Sequence, residues 1–235
     1  MTEFVFEQIG TIRSPYKEKF AVPRQPGLVE DGGGELLLLP PYNQAEAVRG
    51  LSEFSHLWVM FVFHQTMEGG WRPTVRPPRL GGNARMGVFA TRSTFRPNPL
   101  GMSLIELKGI RTQGNEVVLE LGSLDLVDGT PVIDIKPYLP FAESHPEARA
   151  GFAQAAPAGD MPVYFSSQAE QQLQQHLRRY PNLRRFITQV LAQDPRPAYR
   201  KEEASGREYA VWLLEFNVRW RIVDSQSEVL SLDAR

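Results

Sequence analysis

Residues 116–136 read EVVLELGSLDLVDGTPVIDIK. Val117, Leu119 and Leu121 alternate with Val118 and Glu120, the period-two pattern of a strand with one buried face. In a second run Ile133 and Ile135 share one face, which puts Asp134 and Lys136 together on the other. Between the runs stands Asp128-Gly129, a pair that favours a tight hairpin turn. The stretch therefore reads as an antiparallel hairpin. Working outward, further strands are expected at FVFEQIGTI (4–12), GELLLL (34–39), LWVMFVF (57–63), MGVFAT (86–91) and MSLIELKGI (102–110). Turn signals DGGG, GGN and TQGN punctuate them. One short helix is expected at NQAEAVRGL, 43–51, capped by Asn43. Many short strands with dense turns favour a barrel or sandwich over a doubly wound parallel sheet.

The C-terminal third changes character. FAESHPEARAGFAQAAPAGDMP, 141–162, reads as a long connection. SSQAEQQLQQHLRRY then reads as a helix capped by Ser166 or Ser167, and PNLRRFITQVLAQ as a second with Pro181 in its first turn. Phe216, Val218, Trp220 and Ile222 alternate with polar residues, and VLSLDA completes a hairpin. The expectation is a mainly β chain: an antiparallel β-barrel domain at 1–141, a linker at 142–162 and a small α+β domain at 163–235.

Composition bounds the chemistry. The 235 residues contain no cysteine, so disulfides and thiolate sites are excluded. The four histidines share no metal-ligand spacing, and no metal is expected. Neither a signal peptide nor a membrane span is read, and a cytoplasmic location is expected. No G-x-G-x-x-G occurs, and Gly82 to Gly87 is followed by Val88 where a P-loop needs lysine. Net charge is −1, yet residues 69–105 hold six arginines and no acid. Residues 176–221 hold ten Lys and Arg against five Asp and Glu. Two basic regions in a neutral chain are compatible with a directed RNA contact, and equally with solvated surface charge.

Four stretches admit either a structural or a functional reading. RQPGLV (24–29) is a Pro-Gly turn, or a place where Gly27 lets a ligand touch the backbone. FVFHQT (61–66) is a strand terminus, or a pocket mouth where His64 and Gln65 read a ligand edge. DPRPAYRK (194–201) is a rigid loop, or an RNA contact in which Arg196, Arg200 and Lys201 meet phosphates and Tyr199 stacks on a base. ATRSTFRPNPLGMS (90–103) is a proline-stiffened loop carrying Arg92 and Arg96.

Together with EQIGTIRSPYKEKFAVPRQPGLV, AVRGLSEFSHLWVMFVFHQTMEGGWRPTVRPPRLGGNARMGVF and LGSLDLVDGTPVIDIKPYLPFAES, these stretches closely resemble the TsaA-like family. The likeness covers essentially the whole chain. It implies a homodimeric β-barrel methyltransferase that uses S-adenosylmethionine to methylate N6 of threonylcarbamoyladenosine, beside the anticodon of a subset of threonine tRNAs. It further implies a cofactor site of Pro26, Gly27, Leu28, His64, Gln65, Arg92, Met102 or a close neighbour, Gly122, Ser123, Leu124 and Asp125. Arg92 suits the carboxylate of the methionine tail, and Asp125 its ammonium or the ribose hydroxyls. Asp134 is the candidate general base, with His64 second. Arg96 or Lys136 suits the threonyl carboxylate of the substrate. A non-catalytic module that senses S-adenosylmethionine or RNA is the competing expectation.

Overall fold

The computed structural model describes residues 3–197 and 206–235. They form two units. Unit 1 comprises residues 1–13, 34–122 and 129–154; unit 2 comprises 14–33, 123–128 and 155–235. Two segments expected in the barrel domain, 14–33 and 123–128, thus cluster with the C-terminal residues. Their anchors explain this: Tyr16 bridges Leu213 and packs its ring on Phe186 at 5.8 Å, while Asp31 N–H donates to Gln189 at 3.0 Å.

Unit 1 is built on a closed barrel. Its strands are β1 (Gly10–Arg13), β2 (Gly34–Leu38), β3 (His56–Val62), β6 (Leu100–Gln113), β7 (Glu116–Leu121) and β8 (Pro131–Pro137), with β4 (Thr74–Val75) and β5 (Met86–Gly87) in a separate two-stranded ladder. The barrel order is β1-β2-β7-β6-β3-β8, antiparallel throughout. Closure leaves no edge strand. Ile12, Leu36, Leu57, Val59, Ile105, Leu119 and Val132 fill the interior, all fully buried. Strand β6 serves two neighbours: Leu100–Glu106 pairs with β3 and Leu107–Gln113 with β7, with a bulge between Leu107 and Gly109. Such a bulge bends a strand and increases its twist, which helps a sheet close.

The expected 116–136 hairpin does not form. β7 pairs with β2 and β6, β8 with β1 and β3. A turn dipeptide is local and says nothing about which strands its flanks choose. Asp128 instead anchors the 14–17 segment: Ser14 N–H donates to its Oδ1 at 2.8 Å and Lys17 Nζ lies 3.0 Å from Oδ2. The 43–51 helix is two 3-10 turns, Ala45–Val48 and Leu51–Glu53, interrupted by Gly50 at φ +81. Asn43 gives its amide to the Asn115 carbonyl rather than capping. Of the first expected strand, 4–12, only Gly10–Ile12 falls within β1, with Ile9 bonded to Val132 and Leu39 just before it, and Phe4, Val5 and Phe6 are exposed.

Unit 2 contains β9 (Val163–Phe165), β10 (Glu208–Leu213), β11 (Phe216–Val223) and β12 (Gln226–Ala234) in the order β10-β11-β12-β9, the last pair parallel. A short α1 (Pro140–Glu143) belongs to unit 1; α2 (Ser167–His176) and α3 (Leu183–Ala192) belong to unit 2. Ser166 caps α2 by accepting from Ala169 N–H at 3.1 Å. Pro181 precedes the Asn182 N-cap of α3 rather than lying in its first turn. Leu183, Phe186, Ile187, Val190 and Leu191 are buried, the i, i+3, i+4, i+7, i+8 stripe of a core-facing helix. No helix among the described residues is long and apolar enough to cross a membrane.

Candidate active-site residues

The residues singled out by sequence fall into two groups, one in each unit. In unit 2, the 123–126 segment lies outside any strand or helix, with Leu124 and Leu126 buried and Ser123 and Asp125 half-buried. Ser123 ties this segment to the 26–29 turn. Its Oγ accepts from Gly27 N–H at 2.9 Å and donates to the Val29 carbonyl at 2.7 Å. Two further bonds brace the arrangement: Gly32 N–H to Val29 O at 3.0 Å, and Leu124 N–H to Gly32 O at 2.9 Å. Gly27 itself is exposed at φ +84, in the left-handed region, with nothing within 4 Å of where a Cβ would stand. That is the open backbone a ligand could approach. Leu124, expected as a cofactor residue, has a wholly buried side chain, so only its main chain is placed to meet a ligand.

Two residues that sequence reasoning missed lie behind this cradle. Tyr16 is fully buried, and its hydroxyl has no hydrogen-bond partner among the described residues. Burial raises its pKa far above the usual tyrosine value, and the negative charge of Asp125 raises it further. Gly32 lies against that hydroxyl, and any Cβ there would overlap it. DGGG gave only a turn signal, and nothing in the sequence around Tyr16 marks it.

In unit 1, His64 and Gln65 directly follow β3, where Phe63 N–H donates to Pro99 O at 2.8 Å. Arg92 is exposed on the loop after the 3-10 turn Val88–Ala90. Arg96 turns back on that loop: its Nη1 donates to the Thr91 carbonyl at 2.8 Å and the Val88 carbonyl at 3.2 Å. Its guanidinium lies 5.7 Å from the Phe89 ring centroid. Met102 is outward-facing and 49% exposed. In register with it across β3 stand Met60 and then Asp134. Asp134 and Lys136 share a face, as the alternation required, and form an ion pair; Asp134 Oδ1 also accepts from Ile135 N–H at 2.9 Å. Gly122 is buried, its N–H held by Glu106 O at 2.8 Å.

The DPRPAYRK stretch corrects one expectation. Arg196 is only 7% exposed, and its Nε and Nη2 bond both oxygens of Asp194 at 2.8 and 3.1 Å. A guanidinium forked onto a carboxylate inside a unit is a structural pair and does not present its charge to a phosphate. Tyr199, Arg200 and Lys201 lie outside the described residues. No cluster of three or more His, Asp or Glu able to hold a metal occurs among the described residues.

Comparison with known proteins matches both parts of the chain. Residues 11–144 match the tRNA-methyltransferase O N-terminal domain and residues 158–235 the TrmO C-terminal domain. A protein of Escherichia coli (strain K12) named tRNA (adenine(37)-N6)-methyltransferase is 70% identical over 235 residues, covering 100% of both chains. A Pseudomonas aeruginosa protein named "Putative S-adenosylmethionine-dependent methyltransferase RcsF" is 50% identical over 213 residues, 90% of each chain. A crystal structure of TrmO from Pseudomonas aeruginosa superposes with a TM-score of 0.82 at 39% identity over 99% of each chain. The chain belongs to the tRNA-methyltransferase O family.

Proposed function

We propose that this chain methylates N6 of adenosine 37 in tRNA, using S-adenosylmethionine, and that the base it accepts is threonylcarbamoyladenosine in a subset of threonine tRNAs. Full-length likeness to a tRNA (adenine(37)-N6)-methyltransferase carries the reading. The residues present fit the cofactor. In unit 2, a turn left open at Gly27 and braced by Ser123, together with the carboxylate of Asp125, offers close approach to the backbone and an anionic group to a nucleoside bearing an ammonium. Pro26, Leu28 and the main chain of Leu124 complete that group. In unit 1, His64, Gln65, Arg92, Met102 and Gly122 are proposed for the same ligand, with Arg92 toward its carboxylate. When bound, S-adenosylmethionine supplies an electrophilic methyl group on a sulfonium sulfur.

The chain's own residues do the rest. The acceptor nitrogen lies between a purine and a carbonyl, so it must lose a proton as the new N–C bond forms. Asp134 is proposed to take that proton, a task that contributes about 10²–10⁴-fold. Lys136, paired with it, holds the carboxylate in place and offers a cation to the threonyl carboxylate. Arg96 is proposed as a second cation for that carboxylate, although Nη1 is committed to the loop. Holding donor and acceptor in line supplies roughly 7–11 kcal/mol, so placement outweighs the base.

The chain is also proposed to act as a homodimer in the cytoplasm. An outward apolar row on unit 1 supports the first point: Trp58 pairs with Leu104 and Met60 with Met102 across β3 and β6, opposite the buried Leu57, Val59 and Ile105. Transfer of labelled methyl from the cofactor to purified tRNA tests the function. Cofactor binding without transfer to any tRNA would turn the reading toward a binding module.

A further inference from the structure

Residues 63–99 form an arm between the end of β3 and the start of β6. Its two legs run side by side: Phe63 N–H donates to Pro99 O at 2.8 Å and Arg72 N–H to Phe95 O at 3.2 Å. The β4–β5 ladder lies at its far part, with Thr74 opposite Gly87 and Val75 opposite Met86. Pro77 and Val88 within it are buried, and Val88 N–H donates to Pro73 O at 3.0 Å. The arm is therefore a built element, yet its surface contradicts the economy of folding. Trp71 is 57% exposed and Phe89 74% exposed. Burying an aromatic side chain removes 150–250 Å² from water and stabilises a fold by about 25 cal/mol per Å², so large exposed rings point to a partner.

Charge is concentrated in the same segment. Residues 69–105 contain Arg72, Arg76, Arg79, Arg85, Arg92 and Arg96 and no acid. All but Arg96 are exposed. Among the described residues Arg72, Arg76 and Arg85 make no ion pair, whereas the arginines of α3 in unit 2 are taken: Arg184 pairs with Glu170, and Arg185 with Glu30 and Asp31. Rings and cations also interleave, with Arg72 stacked 4.7 Å from the Phe95 centroid. Flat rings for bases, set among cations for phosphates, are the composition of a single-stranded nucleic-acid platform.

We propose that the 63–99 arm is the surface that seats the RNA, with Trp71 and Phe89 stacking on unpaired loop bases and Arg72, Arg76, Arg79 and Arg85 along the phosphates. This rests on the methyltransferase reading, and it places an RNA contact in unit 1, beside the one still proposed for Tyr199, Arg200 and Lys201. The arm's legs carry His64, Gln65 and Arg92, so an RNA loop on the arm brings its bases to the residues proposed to hold the methyl donor. An anionic lipid surface has the same charge but no use for stacking platforms.

The test uses the full-length chain and a fluorescein-labelled tRNA transcript. Trp71→Ala and Phe89→Ala are each expected to raise the dissociation constant about tenfold. Arg76→Gln and Arg85→Gln should each flatten the slope of log affinity against log salt by about 0.7. In all four the melting shift induced by S-adenosylmethionine stays as in the wild type, and KM for tRNA rises while kcat holds. Wild-type tRNA affinity and salt slope in a variant that combines all four substitutions would overturn the proposal. So would loss of binding to phosphatidylserine vesicles with tRNA binding intact. A wild-type chain that transfers no methyl group overturns the functional reading instead, and leaves the binding result to be judged by itself.

Discussion

The hydroxyl of Tyr16 fills the space that a Cβ on Gly32 would need, and Tyr16 Cζ would lie 3.1 Å from that Cβ. Gly32 has no positive φ, so space rather than backbone conformation demands glycine here. Gly32→Ala should therefore destabilise the chain by about 1–3 kcal/mol through overpacking. Tyr16→Phe removes the clashing oxygen and should rescue most of that loss. Urea denaturation of the two single variants and the double variant measures it. Additive single effects would mean that the two residues do not share this space.

Tyr16→Phe in the wild-type background deletes a buried hydroxyl that has no partner among the described residues. It should leave stability unchanged or raise it, because such a group costs about 1–3 kcal/mol to bury. The pH dependence follows from the raised pKa. Above pH 10.0, the ordinary tyrosine pKa, the unfolded chain releases this proton while the folded chain keeps it, so stability is full below about pH 10 and falls as pH rises. Wild type should lose up to about 1.4 kcal/mol more per pH unit above pH 10 than Tyr16→Phe. Parallel alkaline denaturation curves would contradict this.

Ser123→Ala removes the hydroxyl that joins Gly27 N–H to the Val29 carbonyl. The fold should lose about 1 kcal/mol. Cofactor affinity should fall several-fold, because the 26–29 turn is no longer held against 123–125. Calorimetric titration with S-adenosylmethionine reads the second effect, and undiminished affinity would show that the turn is fixed by other contacts.

Arg196→Ala should cost stability rather than RNA binding. Loss of the guanidinium removes a forked pair whose two side chains are almost wholly buried, worth roughly 3 kcal/mol. The melting temperature should drop while tRNA affinity of the folded protein stays within a factor of about two of wild type, a difference below 1 kcal/mol. Normal melting with weakened tRNA binding would return Arg196 to the RNA contact.

The fold was legible where its cause was local and periodic. Alternation along β3 and β11, the stripe on α3 and the cap at Ser166 all survive in the structure, because each depends on one face meeting one core, whereas on β7 Val118 is buried along with Val117 and Leu119. Pairing was not legible: Asp128-Gly129 announces a turn, but β7 and β8 find other neighbours. Three strands went unread: β4 with two residues, β9 with three, and β10, whose pattern EYAVWL is short and follows a charged stretch of sequence. The shared face of Asp134 and Lys136 followed from period two. The candidate-site details that sequence missed are long-range packing facts. Tyr16 and Gly32 are sixteen positions apart, and neither shows from its own neighbours that one fills the other's missing side chain. Arg196 misled because a guanidinium beside prolines looks exposed until its carboxylate two residues away closes on it.

The account's central claim is tested most directly by nucleoside mass analysis of position 37 in threonine tRNA incubated with the purified chain and S-adenosylmethionine, alongside Asp134→Asn. The account predicts that threonylcarbamoyladenosine gains one methyl group on N6 with wild type, and that Asp134→Asn slows this about 10²–10⁴-fold without losing cofactor binding. Unchanged nucleoside with wild type, under conditions where the cofactor is bound, would contradict it.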